Sequence, residues 1–154
     1  MLNVGDKAPD FSLPASTGET ISLKDLKGSR VVLYFYPKDD TPGCTREACS
    51  FRDRNDELIS SGIKVLGVSA DSVKSHRDFS GKFNLPFPLL SDEDRKAIEE
   101  YGVWGQRQVR GRTVMGIRRM TYLIDQEGTI RQIWTNVTPD NHAQEILEAA
   151  EELG

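Results

Sequence analysis

Val31-Val-Leu-Tyr-Phe-Tyr36-Pro37-Lys-Asp-Asp-Thr41-Pro42-Gly43-Cys44 is the stretch on which the fold turns. Six apolar residues, rich in β-branched and aromatic types and stopped by Pro37, have the pattern of a strand buried on both faces. Ile63 to Ala70 repeats that character. Between the two runs, Pro42 to Ser61 has the length of a helix, with Cys44, Ala48, Phe51, Leu58 and Ile59 spaced for one face. The result is a strand, helix, strand unit. Val73 to Phe83 predicts a second helix, capped by Asp71-Ser72, and Pro88 to Ser91 a third strand ahead of a helix over Glu93 to Tyr101. Thr121 to Asp125 and Thr129 to Trp134 flank Gln126-Glu-Gly128 as a hairpin, and Asn141 to Leu153 closes the chain as an amphipathic helix. Toward the N-terminus, Phe11 to Leu13 and Thr20 to Ser22 around Thr17-Gly18 form a hairpin that covers an edge of the sheet. Gly105 to Gly116, rich in Gly and Arg, is expected to be a long loop. The sum is an α/β fold: a mixed central sheet, helices on both faces and an N-terminal β-hairpin, in one domain over residues 1–154. In such a sheet the functional crevice lies beyond the carboxyl ends of the parallel strands, and Tyr36-Pro37 is one such end.

A chain of 154 residues buries roughly 70% of the surface its unfolded form exposes, so it needs neither disulfides nor a metal to fold. Its net charge of -4 disfavours nucleic acid as a partner. The opening residues lack a basic segment followed by an apolar one, and nowhere do 18 apolar residues run together, so no signal peptide and no membrane span is read. A cytoplasmic location is expected. In a reducing compartment a cysteine pair is more often catalytic, redox-sensing or metal-binding than structural, which directs attention to Cys44 and Cys49.

Thr41 suits the N-cap of the first helix, Pro42 its first position and Cys44 its third. The unpaired amides and the positive end of the helix dipole there favour a thiolate over a thiol. A small buried cysteine packing helix on sheet is the plainer alternative, and the first-turn position favours reactivity. Cys49 lies five residues on, about 140° around the helix from Cys44 and on the side of Arg52, Asp53 and Asp56, so it is expected to face outward. Ideal helix geometry separates the two Cα atoms by roughly 8.6 Å, past the usual disulfide limit of about 6.8 Å. A bridge between them therefore requires the turns from Gly43 to Cys49 to unwind.

This arrangement resembles the peroxiredoxins, most closely the bacterioferritin-comigratory-protein or Q-type branch. The family's Pro-x-x-x-Thr-x-x-Cys signature is matched by Pro37, Thr41 and Cys44, and the Q-type resolving cysteine by Cys49. Further likeness runs through Gly5 to Phe11, Leu90-Ser-Asp92, Tyr101 to Gly105 and Arg119 to Asp125. The resemblance implies a thioredoxin-like fold and reduction of hydrogen peroxide or organic hydroperoxides without metal or other cofactor. Cys44 would attack the peroxide and become a sulfenic acid, and Cys49 would convert it to an intramolecular disulfide. A thioredoxin-type dithiol protein would then reduce that disulfide, glutaredoxin being another candidate donor.

Thr41 would turn its hydroxyl to the peroxide, and the amides of Gly43 and Cys44 would donate to the developing negative oxygen. Pro37 would help exclude water from the sulfur. Arg119 is by resemblance the active-site arginine; its neighbour Arg118 should point to the opposite face. Q-type relatives point to a monomer. Glu47 also matches a family position, but an acid in a first helical turn is ordinary dipole complementarity, and it is left off the catalytic set.

His76 and His142 fall in no zinc-ligand spacing and are expected at the surface. Trp104 and Trp134 read as packing residues. The arginines at 107, 110, 112, 118 and 119 lack interleaved aromatics and fit a solvated loop better than an anion site. Two other functions compete with the peroxidase. A general thiol-disulfide exchanger would carry Cys-x-x-Cys, and a redox-switched binding module or chaperone would use the unwinding helix to expose apolar surface.

Overall fold

The structure, a computed structural model, describes residues 1–153; Gly154, the last residue of the expected domain, lies outside them. The first half of the chain forms β1 (Ser12–Pro14), β2 (Thr20–Ser22), a 3-10 turn at Leu23–Leu26, β3 (Arg30–Phe35), α1 (Pro42–Asp53), α2 (Asn55–Ser60) and β4 (Ile63–Ser69). The second half adds α3 (Val73–Phe83), β5 (Leu89–Ser91), α4 (Lys96–Glu100), β6 (Trp104–Val109), β7 (Arg112–Ile117), β8 (Met120–Ile124), β9 (Ile130–Trp134) and α5 (His142–Glu152).

Five strands pair in the order β5-β4-β3-β8-β9. β3, β4 and β5 are parallel, β8 runs antiparallel to β3, and β9 antiparallel to β8. As its unbroken apolar run requires, β3 is buried on both sides. Val31, Leu33 and Phe35 join Ile98, Tyr101 and Tyr122 in one layer, while Val32 and Tyr34 join Ala48, Phe51, Leu58, Phe79 and Ile146 in the other. Helices thus cover both faces, α4 on the first and α1, α2, α3 and α5 on the second. The β1–β2 hairpin protects the β5 edge, where Ser16 donates its amide to the Leu89 carbonyl at 2.8 Å and Ala15 bridges to Leu90.

Three elements differ from expectation. The single helix over Pro42 to Ser61 is two, because Arg54 leaves helical geometry (φ -112°, ψ 10°) and pairs with Glu57 at 2.7 Å and with Gln144 of α5. That break resets the phase of the apolar stripe: Leu58 stays inside and Ile59 is 61% exposed. The helix expected from Glu93 begins only at Lys96, since the Asp92 carboxylate caps it by accepting from the amides of Lys96 (3.1 Å) and Ile98 (2.8 Å). Gly105 to Gly116 is no loop but most of the β6–β7 hairpin, paired from Trp104↔Ile117 to Val109↔Arg112. Its two-residue turn places both Arg110 (φ 50°) and Gly111 (φ 78°) in the left-handed region, the geometry that joins twisted strands most directly.

Candidate active site

The site lies beyond the carboxyl ends of the parallel strands. After Tyr36 the loop Pro37–Thr41 bends through a left-handed Asp40 (φ 56°) and enters α1. Pro37 is half-buried where the chain leaves the sheet. Thr41 holds the N-cap position, and its carbonyl accepts the Thr45 amide at 2.8 Å. Its hydroxyl does not cap the helix, donating instead to the Lys38 carbonyl at 2.9 Å. Cys44 follows in the first turn with 2% of its surface exposed.

Arg119 arrives from the other side of β3. The pairing of Phe35 with Met120 sets it at the same sheet end, and both terminal guanidinium nitrogens lie 3.5 Å from the Cys44 sulfur. Gly43 is glycine by close approach, since a Cβ there would come within 3.0 Å of Arg119 Nη2. Arg118 points away: its amide donates to the Val103 carbonyl at 2.7 Å and its side chain lies against Gly105 at the base of the β6–β7 hairpin.

The guanidinium also donates to Glu47 Oε1 at 2.7 Å. Glu47 has no exposed surface, and among the described residues its Oε2 has no hydrogen-bond partner. Burial pushes its carboxyl up from 4.5 to about 7, against the opposing pull of Arg119. For Arg119, burial works against the charge, but Glu47 and Cys44 outweigh it and hold the guanidinium above its ordinary value. Glu47 is therefore no surface complement to the helix dipole; it is a buried partner of the cation beside the sulfur. The signal was present in the spacing, because Cys44, Glu47, Ala48 and Phe51 are the inward stripe of α1.

Cys49 lies on the same unbroken helix, half-buried, and both cysteines are free thiols. Next to it, Arg52 donates to the Phe83 carbonyl and to Asp53, both at 2.9 Å.

Both histidines, expected at the surface, are fully buried. His142 caps no solvent face but packs edge-on against Phe51 and Trp134, with Nε2 2.7 Å from the Thr121 hydroxyl. Burial pulls its pKa down, partly offset by Glu145. His76 lies in α3 with Nδ1 2.7 Å from Asp39 and Nε2 2.9 Å from the Leu90 carbonyl. Neither could be foreseen, because a lone histidine within a helix shows its burial only once the layers are assembled. Asp39, Asp71 and His76 bring ligand-type atoms within 4.8 Å of one another, but the atoms that would hold a cation are engaged in hydrogen bonds among themselves and with Tyr36, Ser69 and Ser75. This set is a network rather than a metal centre. Among the described residues no helix is long and apolar enough to cross a membrane.

Residues 4–133 match the AhpC/TSA family. The chain is 53% identical over 146 residues to the putative peroxiredoxin bcp of Coxiella burnetii, covering 95% of this chain and 97% of that one. It is 44% identical over 152 residues to peroxiredoxin Bcp of Bacillus subtilis, covering 99% and 97%. Among solved structures, a mutant PrxQ of Xylella fastidiosa superposes with a TM-score of 0.93 at 34% identity over 99% of this chain and 98% of that one. The bacterioferritin comigratory protein of Xanthomonas campestris, described for its alkyl peroxide reduction, superposes with a TM-score of 0.86 at 40% identity over 93% and 91%. With a cysteine at a helix start, an arginine on its sulfur and these likenesses along nearly its whole length, the chain belongs to the AhpC/TSA family and is a thioredoxin-fold peroxiredoxin of the Bcp/PrxQ group, a cysteine-based peroxidase.

Proposed function

We propose that Cys44 is the peroxidatic cysteine and Cys49 the resolving one, acting on hydrogen peroxide and organic hydroperoxides within one 1–154 domain. The observation that carries this reading is the Arg119 guanidinium, 3.5 Å from the sulfur through each of two nitrogens at the first turn of α1. Cys44 sulfur attacks the terminal peroxide oxygen, the oxygen–oxygen bond breaks, and the leaving oxygen takes the electron pair and a proton to depart as water or alcohol. Arg119 and the first-turn amides of Gly43 and Cys44 stabilise the negative charge that moves from sulfur to oxygen. The Thr41 hydroxyl, which donates to Lys38 in the resting site, turns to the peroxide, while Pro37, which offers no N–H, keeps the approach to sulfur dry.

The Cys49 thiol then attacks the sulfenic acid, releasing water and forming the disulfide, and a thioredoxin-type dithiol protein returns both cysteines to thiols. Because both sulfurs belong to one helix, the cycle needs no second copy, which supports a monomer; the expected location is the cytoplasm. The test is peroxide consumption with a working thioredoxin system, using hydrogen peroxide and cumene hydroperoxide, followed by mapping of the oxidised bridge. Turnover lost in Cys44→Ser and a Cys44–Cys49 link in the wild type are expected. Peroxide left untouched by the reduced wild type would favour the redox-switched binding module.

A further inference from the structure

The loop that delivers Thr41 and Cys44 is held from beneath by buried polar contacts that take no part in the peroxide chemistry. Asp39, 8% exposed, accepts hydrogen bonds from the Tyr36 hydroxyl at 2.5 Å and the Ser75 hydroxyl at 2.8 Å, and its Oδ2 lies 2.7 Å from His76 Nδ1. Its own amide donates to Asp71 Oδ2 at 2.8 Å, an oxygen that also accepts from the Ser69 hydroxyl at 2.7 Å. His76 in turn reaches the Leu90 carbonyl of β5 through Nε2 at 2.9 Å. A carbonyl oxygen only accepts, so Nε2 carries hydrogen; the opposite nitrogen then meets a carboxylate oxygen, and a proton must lie between them for so short a contact to attract. Asp39 and His76 therefore share a proton in a short hydrogen bond shut away from water.

Such a pair is a poor source of stability, because desolvating both groups offsets much of their attraction. What it does supply is a single geometry. The loop placement that satisfies Asp39 draws together Tyr36 just past β3, Asp71 just past β4, and Ser75 and His76 of α3, and the next residues along the chain are Asp40, with its left-handed backbone, and Thr41, where α1 begins. The same helix must unwind for Cys44 and Cys49 to meet, since an intact helix holds their Cα atoms roughly 8.6 Å apart. The wound helix needs its starting point fixed, and the unwound one does not.

We propose that Asp39 and His76 are positioning residues that anchor the loop before α1 and so set the balance between the wound helix, which attacks peroxide, and the unwound helix, which closes the disulfide. This rests on the assignment of Cys44 and Cys49 above. Weakening the anchor acts on the two steps in opposite directions, because it disfavours only the wound state.

The experiment is stopped-flow mixing of reduced protein with hydrogen peroxide, resolving the second-order attack from the first-order closure, with sulfinic acid at Cys44 counted by mass spectrometry. Asp39→Asn keeps one acceptor, for the Tyr36 hydroxyl at Oδ1, and puts an amide NH2 in place of the Oδ2 that Ser75 and His76 share. Attack should slow about tenfold and closure should quicken several-fold, with less sulfinic acid per turnover. Should Asp39→Asn fail to fold, Ser75→Ala removes a single bond to Asp39 and should move the two phases apart in the same sense by a smaller factor. Two phases that slow in parallel, or that stay at wild-type rates in a folded variant, overturn the inference. A wild type without a closure phase, or one whose closure survives Cys49→Ser, breaks the assignment of Cys49 itself; normal wild-type phases with an unmoved variant break only the role given to Asp39 and His76.

Discussion

Helix α1 carries its two cysteines in opposite surroundings. Cys44 is 2% exposed and faces a guanidinium that is itself tied to a buried carboxylate. Cys49 is half-buried beside Arg52, whose partners are a neighbouring exposed acid and one backbone carbonyl. Cys44 thus sits where the proposed attack needs charge stabilised in a dry site, and Cys49, the proposed resolving cysteine, in the less enclosed surroundings. Fixed dipoles help only if they do not move when charge develops, whereas a resolving cysteine is useful only if its helix gives way.

The largest expected effect tests that division directly. Cys44→Ser should abolish peroxide turnover, while Cys49→Ser should still consume about one equivalent of peroxide per chain in a single mixing experiment. Loss of that first equivalent in Cys49→Ser would mean that the two surroundings do not separate attack from resolution. Next in size, Arg119→Met should slow the attack roughly 100-fold, and Arg118→Met, whose side chain lies over the β6–β7 hairpin, by less than about twofold. Comparable losses at both positions would contradict the assignment of 119.

A smaller effect concerns Glu47. Its folded carboxyl is raised from 4.5 to about 7, so the folded state binds that proton more tightly than the unfolded chain does. The stabilisation it contributes is full below about 4.5 and is lost as pH rises through about 7. Urea unfolding of Glu47→Gln across that range should show a flatter dependence on pH than the wild type; an identical profile would place the titration elsewhere. Smallest of all, Arg52→Ala removes one hydrogen bond to the Phe83 carbonyl and should cost less than about 1 kcal/mol of stability by chemical denaturation, without slowing disulfide closure. Slower closure would show that the Cys49 side of the helix is more tightly organised than its exposure suggests.

Much of the architecture was legible because its signals are local. The run ending at Tyr36, the Ser72 cap of α3 and the Gly128 turn act within a few residues, and β3, α3 and the β8–β9 hairpin stand where they were expected. Ser72 accepts the Ser75 amide at 3.1 Å, as its position required. The β6–β7 hairpin escaped because its turn uses Arg110 at positive φ in place of the usual Asn or Asp, and the helix break at Arg54 escaped because it depends on Gln144 from α5. At the site, the Thr41 and Cys44 positions followed from helix-start chemistry and Arg119 from family likeness. Glu47 has the charge of an ordinary acid near a helix start, and its burial follows from the face of α1 it shares with Cys44, Ala48 and Phe51.

Chain order alone was enough to establish that a buried strand feeds a cysteine into the first turn of a helix, with a second cysteine too far along that helix to pair while it stays wound. These are consequences of periodicity and backbone geometry over a dozen residues. The enclosure of Glu47 and both histidines, and the anchoring of the loop by Asp39, required the assembled layers. Each depends on contacts between residues tens of positions apart, and burial, which sets their electrostatics, belongs to no segment until the others have packed against it.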